Sequence, residues 1–327
     1  MKPPFSARSQ RAQIAEMRVQ AKRMLQLFGW PEDSEFSCIA HAFNTTFRVR
    51  AKNRPEAALR INVNSPSSVE NIWAETAFVR HLHSQGILVP LPLTGLDGSL
   101  VQTIEWEGGR HLNAVLYSWI PGRSYENHFF EKDCFALGRL TQALHKAAEN
   151  WEVPEGAVVR PSGDVLAGLP WVMPDLGLEI DLGLWEDVWE QSAALYQRLD
   201  SQPRRVIHDD LHMWNLKKAP EGMTVYDFDD MAFGWPIKDA AVTLYYMRRL
   251  PEAEKKEAAY WRGLGIGWED AGLTQDEFEL LVGSRLILLA NDLAQNTTAE
   301  LQAELPDFVS VANERLKRLM TQKVYRP

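Results

Sequence analysis

Apolar residues near the start of the chain recur at helical spacing. Ile14, Met17, Ala21, Met24, Leu25 and Phe28 fall three or four apart, and Gly29 ends the run. The pattern predicts an amphipathic helix over about 6–28, whose basic residues Arg8, Arg11, Arg18, Lys22 and Arg23 read as a solvated face. The period then changes. Runs of β-branched, aromatic and aliphatic residues at Phe36 to Ala40, Thr45 to Arg50, Ala57 to Val63, Leu100 to Trp106 and Leu112 to Trp119 predict strands. Turn signals such as Lys52-Asn53-Arg54-Pro55 and Asp97-Gly98 separate them. One helix interrupts the series, from about Ser67 to Ser84, with an apolar stripe at Val69, Ile72, Trp73, Thr76 and Val79.

Beyond Pro121-Gly122 the patterning turns helical: Phe129 to Glu149, Trp185 to Asp200, Ile237 to Leu250, Pro251 to Leu264, Thr274 to Gln295 and Asp307 to Thr321. A polar, aspartate-rich stretch over 205–235 reads as loop and short strand. The expected fold is therefore α+β and bilobal. A small antiparallel-β lobe over 1–119, with one helix packed on its sheet, precedes a larger, mostly helical lobe over 120–327.

With 327 residues, 45% hydrophobic and 24% charged, the chain has the composition of an ordinary globular protein. Its net charge of −9 argues against a nucleic-acid partner, because phosphate neutralisation needs clustered Lys and Arg. Cys38 and Cys134 suggest neither a disulfide framework nor a zinc site and read as buried small hydrophobes. The charged N-terminus lacks the apolar core of a signal peptide, and no stretch is long and apolar enough to span a membrane. The expected setting is the cytoplasm.

Two clusters carry the chemistry. In Val206 to Leu216 an apolar lead-in delivers the chain to His208-Asp209-Asp210-Leu211-His212-Met213-Trp214-Asn215. Twelve residues after Asn215, Val225-Tyr226 leads to Asp227-Phe228-Asp229-Asp230. Carboxylates crowded this closely repel one another unless a cation lies among them, and hard oxygen ligands suit Mg²⁺. Phosphoryl transfer needs such a set: Asp210 to orient an attacking hydroxyl and take its proton, Asn215 and Asp227 to hold Mg²⁺ against ATP phosphates, and His208 as a brace. A second reading of the same residues takes His208 and His212, four apart, as a zinc pair of a metallohydrolase, although no further His ligand follows at suitable spacing.

His-x-Asp-x-x-x-x-Asn at 208–215, then Asp-Phe-Asp-Asp at 227–230 with Gly234, Pro236 and Asp239 following, resembles the aminoglycoside phosphotransferase and choline kinase family. The family's usual His-Gly-Asp appears here as His-Asp-Asp. The resemblance implies a protein-kinase-like fold, ATP and Mg²⁺ as cofactors, and a small-molecule hydroxyl acceptor. It also implies that Arg60, in Ala58-Leu59-Arg60-Ile61, stands where the family has its phosphate-contacting lysine, with Glu75 as its partner. Asn44, in Asn44-Thr45-Thr46-Phe47, would belong to the loop over the phosphates, although residues 37–47 contain no glycine. Tyr117 and Trp119, in the segment 115–123, would lie in the hinge whose backbone contacts adenine. Asp239 reads as a helix cap that holds the loop.

The acceptor stays open among aminoglycoside, amino alcohol, homoserine and sugar, because acceptor choice resides in the helical lobe. A bacterial protein Ser/Thr kinase and a nucleotide-binding regulator without turnover are the alternatives. The acidic segment Asp175, Glu179, Asp181, Glu186, Asp187 and Glu190 reads as a solvated face, with the acceptor pocket as the second reading. Trp171, Trp185, Trp189, Trp235 and Trp268 read as core, with an apolar or cation-binding pocket as the second reading. ATP against GTP and the oligomeric state are left undetermined.

Overall fold

The computed structural model describes residues 3–125, 128–178 and 180–327, so Glu179 of the acidic segment lies outside the described residues. The chain forms two compact units. The first is 1–121 together with 153–158 and 296–303, and the second is 122–152, 159–295 and 304–327. Two later pieces of chain thus join the N-terminal unit, which a single boundary does not convey.

The first unit is built on a six-stranded antiparallel sheet. Its strands are β1 (Glu35–His41), β2 (Asn44–Arg50), β3 (Ala57–Asn62), β4 (Pro92–Leu93), β5 (Val101–Glu105) and β6 (His111–Ser118). The order is β1-β2-β3-β6-β4, and β5 also pairs with β6. Side chains alternate across the pleat with period two, so each strand serves both faces. Phe47, Val49, Leu59, Ile61, Leu112, Ala114 and Leu116 pack with Met17, Ala21, Met24 and Leu25 of helix α1 (Gln10–Leu27). Val101, Val115 and Tyr117 pack with Ile72 of helix α2 (Val69–Ser84). Two helices therefore cover the sheet where one was expected, and the N-terminal helix is core. Arg60, between Leu59 and Ile61, falls on the α2 side. The buried face of α2 is Ile72, Glu75, Thr76, Val79 and Leu82, whereas Trp73 of the predicted stripe is 46% exposed.

The second unit is mostly helical, with α3 (Glu131–Ala148), α4 (Leu182–Leu199), α5 (Pro236–Met247), α6 (Ala253–Leu264), α7 (Gln275–Gln295) and α8 (Ala299–Gln322, whose first residues group with the first unit). Helix α8 begins eight residues before the predicted start, because Pro306 is accommodated inside it rather than breaking it. Two small sheets thread the helices. One contains β7 (Arg123–Ser124), β10 (Leu216–Ala219) and β11 (Gly222–Val225); the other places β12 (Ala232–Gly234) between β8 (Arg160–Pro161) and β9 (Arg205–Ile207). Gly234 allows the second sheet to close: a Cβ there would lie 2.7 Å from Ser162 Cβ and 2.8 Å from Ile207 Cδ1.

Arg248 ties the far end of this unit, donating to Glu257 and Glu279, while Tyr325 N–H donates to Glu279 at 2.7 Å. Trp185 and Trp235 are buried core residues, as expected. Cys134 is buried and its thiol pushed up to about 12 by burial; Cys38, expected to be buried, is partly exposed. Among the described residues no helix is long and apolar enough to cross a membrane.

Candidate active site

Strand β9 ends at Ile207 and the chain bends sharply at Asp209, which has φ +61°. The first turn of α5 holds that bend. Asp239 is fully buried and accepts the backbone N–H of His208 at 3.2 Å, that of Asp209 at 2.8 Å and His145 Nε2 at 2.8 Å. Trp235, not Asp239, is the N-cap position of α5, so Asp239 is a loop anchor and not a helix cap. Burial alone would raise the Asp239 carboxyl, but the hydrogen bond and charge of His145 bring it below its ordinary value.

His208 is buried, and burial lowers its pKa and favours the neutral ring. Its Nδ1 accepts the Asp210 N–H at 3.3 Å, so Nε2 carries the hydrogen and donates to Tyr226 O at 3.2 Å. Both ring nitrogens are thus spent on bracing, which removes the zinc-pair reading. Among the described residues no cluster of three or more His, Cys, Asp or Glu is arranged to hold a metal by itself.

Asp210 is gripped on both oxygens. Arg285 Nη2 donates to Oδ1 at 2.6 Å; Asn215 Nδ2 at 2.9 Å and His212 Nε2 at 3.1 Å donate to Oδ2. Burial alone would raise this carboxyl, but His212 and Arg285 hold it well below the usual carboxylate range. His212 Nδ1 accepts from Trp214 N–H, which places its hydrogen on the nitrogen facing Asp210. Leu211 is buried and its carbonyl accepts Thr243 Oγ1–H at 2.7 Å, pinning the loop from beneath.

Across the β10–β11 hairpin, Leu216 pairs with Val225 and Tyr226 N–H donates to Asn215 O at 3.1 Å. The hairpin therefore brings Asn215 within one residue of register with Asp227. Asn215 spends its Nδ2 on Asp210, so its amide oxygen is the atom it could offer a cation, and Asp227 is exposed at a left-handed φ of +64°. An amide oxygen and a carboxylate so placed fit a hard divalent cation. Phe228 is buried against the His208 ring, 4.5 Å between centroids.

Residues that sequence reasoning missed complete this region. Helix α7 contributes Arg285 and, two turns on, Asp292; burial pushes the Asp292 carboxyl up to about 6, with Arg285 and Arg160 lowering it and Asp229 and Asp210 raising it. Arg160 donates to the Asp229 carbonyl at 2.5 Å. Enclosure and then the Asp210 charge push the Asp230 carboxyl up, an effect that water screens, since half of its side-chain surface is exposed. A basic residue inside the apolar run Leu280-Leu281-Val282-Gly283-Ser284-Arg285-Leu286-Ile287 was the available signal for Arg285. Within the acidic segment, Asp181 caps α4 by accepting the Leu184 N–H.

In the first unit Arg60 and Glu75 form a buried two-pronged pair, Nη1 to Oε1 at 2.8 Å and Nη2 to Oε2 at 2.5 Å. Tyr117 OH adds a bond to Glu75 Oε1 at 2.8 Å. Tyr117 thus contributes its side chain to this pair, which the hinge expectation did not include. In the hinge segment the Trp119 N–H is given to Glu56 O at 3.1 Å and that of Ser118 to Leu91 O at 2.8 Å. Arg48 lies over the Trp119 ring at 4.3 Å. Asn44 Oδ1 accepts from Asn62 Nδ2 at 3.1 Å.

The turn between β1 and β2 needs no glycine, because no residue of 37–47 adopts a left-handed φ. It is held instead by polar side chains. His41 Nδ1 meets Thr45 Oγ1 at 2.8 Å, and Nε2 meets Gln13 Oε1 at 3.3 Å. Gln13, fully buried, also donates to Phe5 O and Thr297 O and accepts from Ala299 N–H, so one amide joins four segments.

Solved structures place this architecture in a class. The chain superimposes on a microcompartment-associated aminopropanol kinase with a TM-score of 0.77 at 19% identity, covering 94% of this chain and 99% of that one. On an amicoumacin kinase in complex with AMP-PNP, Ca²⁺ and amicoumacin the TM-score is 0.71 at 19% identity, covering 95% and 98%. The fold is the bilobal, protein-kinase-like fold of the small-molecule phosphotransferases. By sequence, residues 39–273 match the family described as the phosphotransferase enzyme family, and the chain belongs to it. It is also 26% identical over 228 residues to the amicoumacin kinase of Bacillus subtilis (strain 168), a match that spans 67% of this chain and 64% of that kinase's length.

Proposed function

We propose that the protein transfers the γ-phosphoryl group of ATP to a hydroxyl of a small molecule. The observation that carries this reading is the state of Asp210: a carboxylate held on both oxygens and well below its ordinary pKa, in a loop whose Asn215 the hairpin sets within one residue of register with Asp227. Asp210 orients the acceptor hydroxyl and receives its proton as the new O–P bond forms and the bond from the γ-phosphorus to the bridging oxygen breaks, that oxygen leaving with ADP. Oδ2 already accepts two hydrogen bonds, so the hydroxyl is taken by Oδ1. His208 braces the loop. Asn215 and Asp227 would hold Mg²⁺, which would neutralise charge on the transferring phosphate.

Arg60 is the nucleotide-phosphate contact, held in place by Glu75 and Tyr117, and the planar guanidinium suits phosphate oxygens. Asn44 belongs to the phosphate loop. At Tyr117–Trp119 adenine contact falls to groups other than the Ser118 and Trp119 N–H. The acceptor class, from amino alcohol to aminoglycoside, homoserine or sugar, is supported by the names aminopropanol kinase and amicoumacin kinase among its likenesses. We place the reaction in the cytoplasm, where MgATP is supplied.

The test is MgATP consumption over a panel of amino alcohols, aminoglycosides and sugars, comparing the parent with Asp210→Asn. The variant should turn over about 10³-fold more slowly with the true acceptor. Equal rates would remove Asp210 from the role of base.

A further inference from the structure

The bend at Asp209 uses a second device besides Asp239. A φ of +61° is a conformation for which glycine is the default, since a Cβ crowds the neighbouring carbonyl. Here the position carries an aspartate that is 6% exposed. Its Oδ2 accepts from Lys238 Nζ at 3.0 Å and Ser162 Oγ at 3.1 Å, and Lys238 Nζ also donates to Ser162 Oγ at 2.6 Å. Lys238 is 5% exposed and lies over the Tyr196 ring at 5.6 Å. Ser162 reaches the cluster because Gly234 lets its strand approach so closely. The neighbours Lys238 and Asp239, in one turn of α5, therefore seize residue 209 twice, one by its side chain and the other by its N–H.

We propose that Lys238 and Asp209 form a positioning pair that replaces glycine at this bend and sets the direction in which the next residue, Asp210, presents its carboxylate. The pair rests on the reading of Asp210 as the base. It goes beyond that reading by making the pair interdependent: either charge alone is a buried, unmatched ion, whereas removing both and supplying glycine restores the bend.

Four variants test it: Lys238→Met, Asp209→Gly, the double Asp209→Gly/Lys238→Met, and Asp210→Asn as a separate control. Each is measured by the kcat and KM of MgATP turnover and by amide hydrogen exchange of the segment 205–212 in the intact protein. Lys238→Met should lower kcat about 10-fold, leave the KM for MgATP within about twofold, and speed exchange about 10-fold. The double variant should return kcat and exchange to within about threefold of the parent. The pair is overturned if Lys238→Met leaves kcat and exchange unchanged, or if the double variant is no better than Lys238→Met. Should Lys238→Met fail to fold, the unfolding temperatures of Asp209→Gly and the double variant decide, and the double must be the more stable. Full turnover by Asp210→Asn would defeat the proposed base, while the exchange data would still judge the pair.

Discussion

The 208–210 bend of the second unit and the β1–β2 hairpin of the first solve the same problem by different means. Each holds backbone for a proposed catalytic or phosphate-binding role without glycine. The hairpin stays within ordinary φ and is fastened by uncharged groups, with Gln13, His41 and Thr45 sharing hydrogen bonds. The bend passes through a left-handed φ and is fastened by buried carboxylates, Asp239 hydrogen-bonded to His145 and Asp209 paired with Lys238. A buried ion is secure while paired and costly when its partner is lost; a neutral amide loses a smaller increment when cut. The bend should be rigid but brittle, and the hairpin more forgiving.

The sharpest way to break that comparison is Asp239→Ala, which strands two N–H groups and His145 and should cost about 3–5 kcal/mol, read by urea unfolding. A loss of only about 2 kcal/mol or less would put the bend on the hairpin's footing. Next, Arg60→Met leaves Glu75 buried with the Tyr117 hydroxyl still donating to it and should cost about 3 kcal/mol while raising the KM for MgATP, whereas Arg60→Lys keeps the charge and shows the loss of fork geometry alone. Gln13→Ala should cost about 2 kcal/mol, since water can replace part of what the amide supplied.

Acid separates the regions further. His41 is lowered by burial, so the unfolded chain binds a proton there more readily than the folded one. Its contribution is complete above the ordinary histidine value and declines as pH falls below about 6.5. Buried His208 adds to the same step. Asp239, also lowered, contributes fully above the ordinary aspartate value and loses its contribution only as pH falls below about 3.9. His41→Gln should therefore flatten part of the decline below pH 6.5 in a urea-midpoint series, and Asp239→Asn should remove part of the step below pH 4. The smallest effect is expected at Glu56→Gln, whose urea midpoint should stay close to the parent's, because its ion pairs with Arg48 and Arg50 are screened by solvent.

Local pattern carried much of this fold. The alternation at Phe47, Val49, Leu59 and Ile61 marked strands, and the three-and-four spacing at Met17, Ala21 and Met24 marked a helix. Trp73 misled because an apolar residue on a helix is not thereby buried, and the start at Asp307 fell late because α8 accommodates Pro306 despite its missing N–H. Within the site, the spacing of His208, Asp210, Asn215 and Asp227 was visible because those residues serve one loop and one hairpin. Arg285, 75 residues beyond Asp210, was not, since a single basic residue in an apolar run has no local reason to be functional.

What the sequence determined alone was periodicity, the segregation of strands from helices, and the order and spacing of two acidic motifs. These depend on neighbours along the chain. Only the tertiary structure decided which distant side chains meet: Arg60 with Glu75, Asp210 with Arg285, Gln13 with Thr297 and Ala299, and Asp209 with Lys238. Such pairs become strong because folding removes water around them, and no linear pattern records how much water is left.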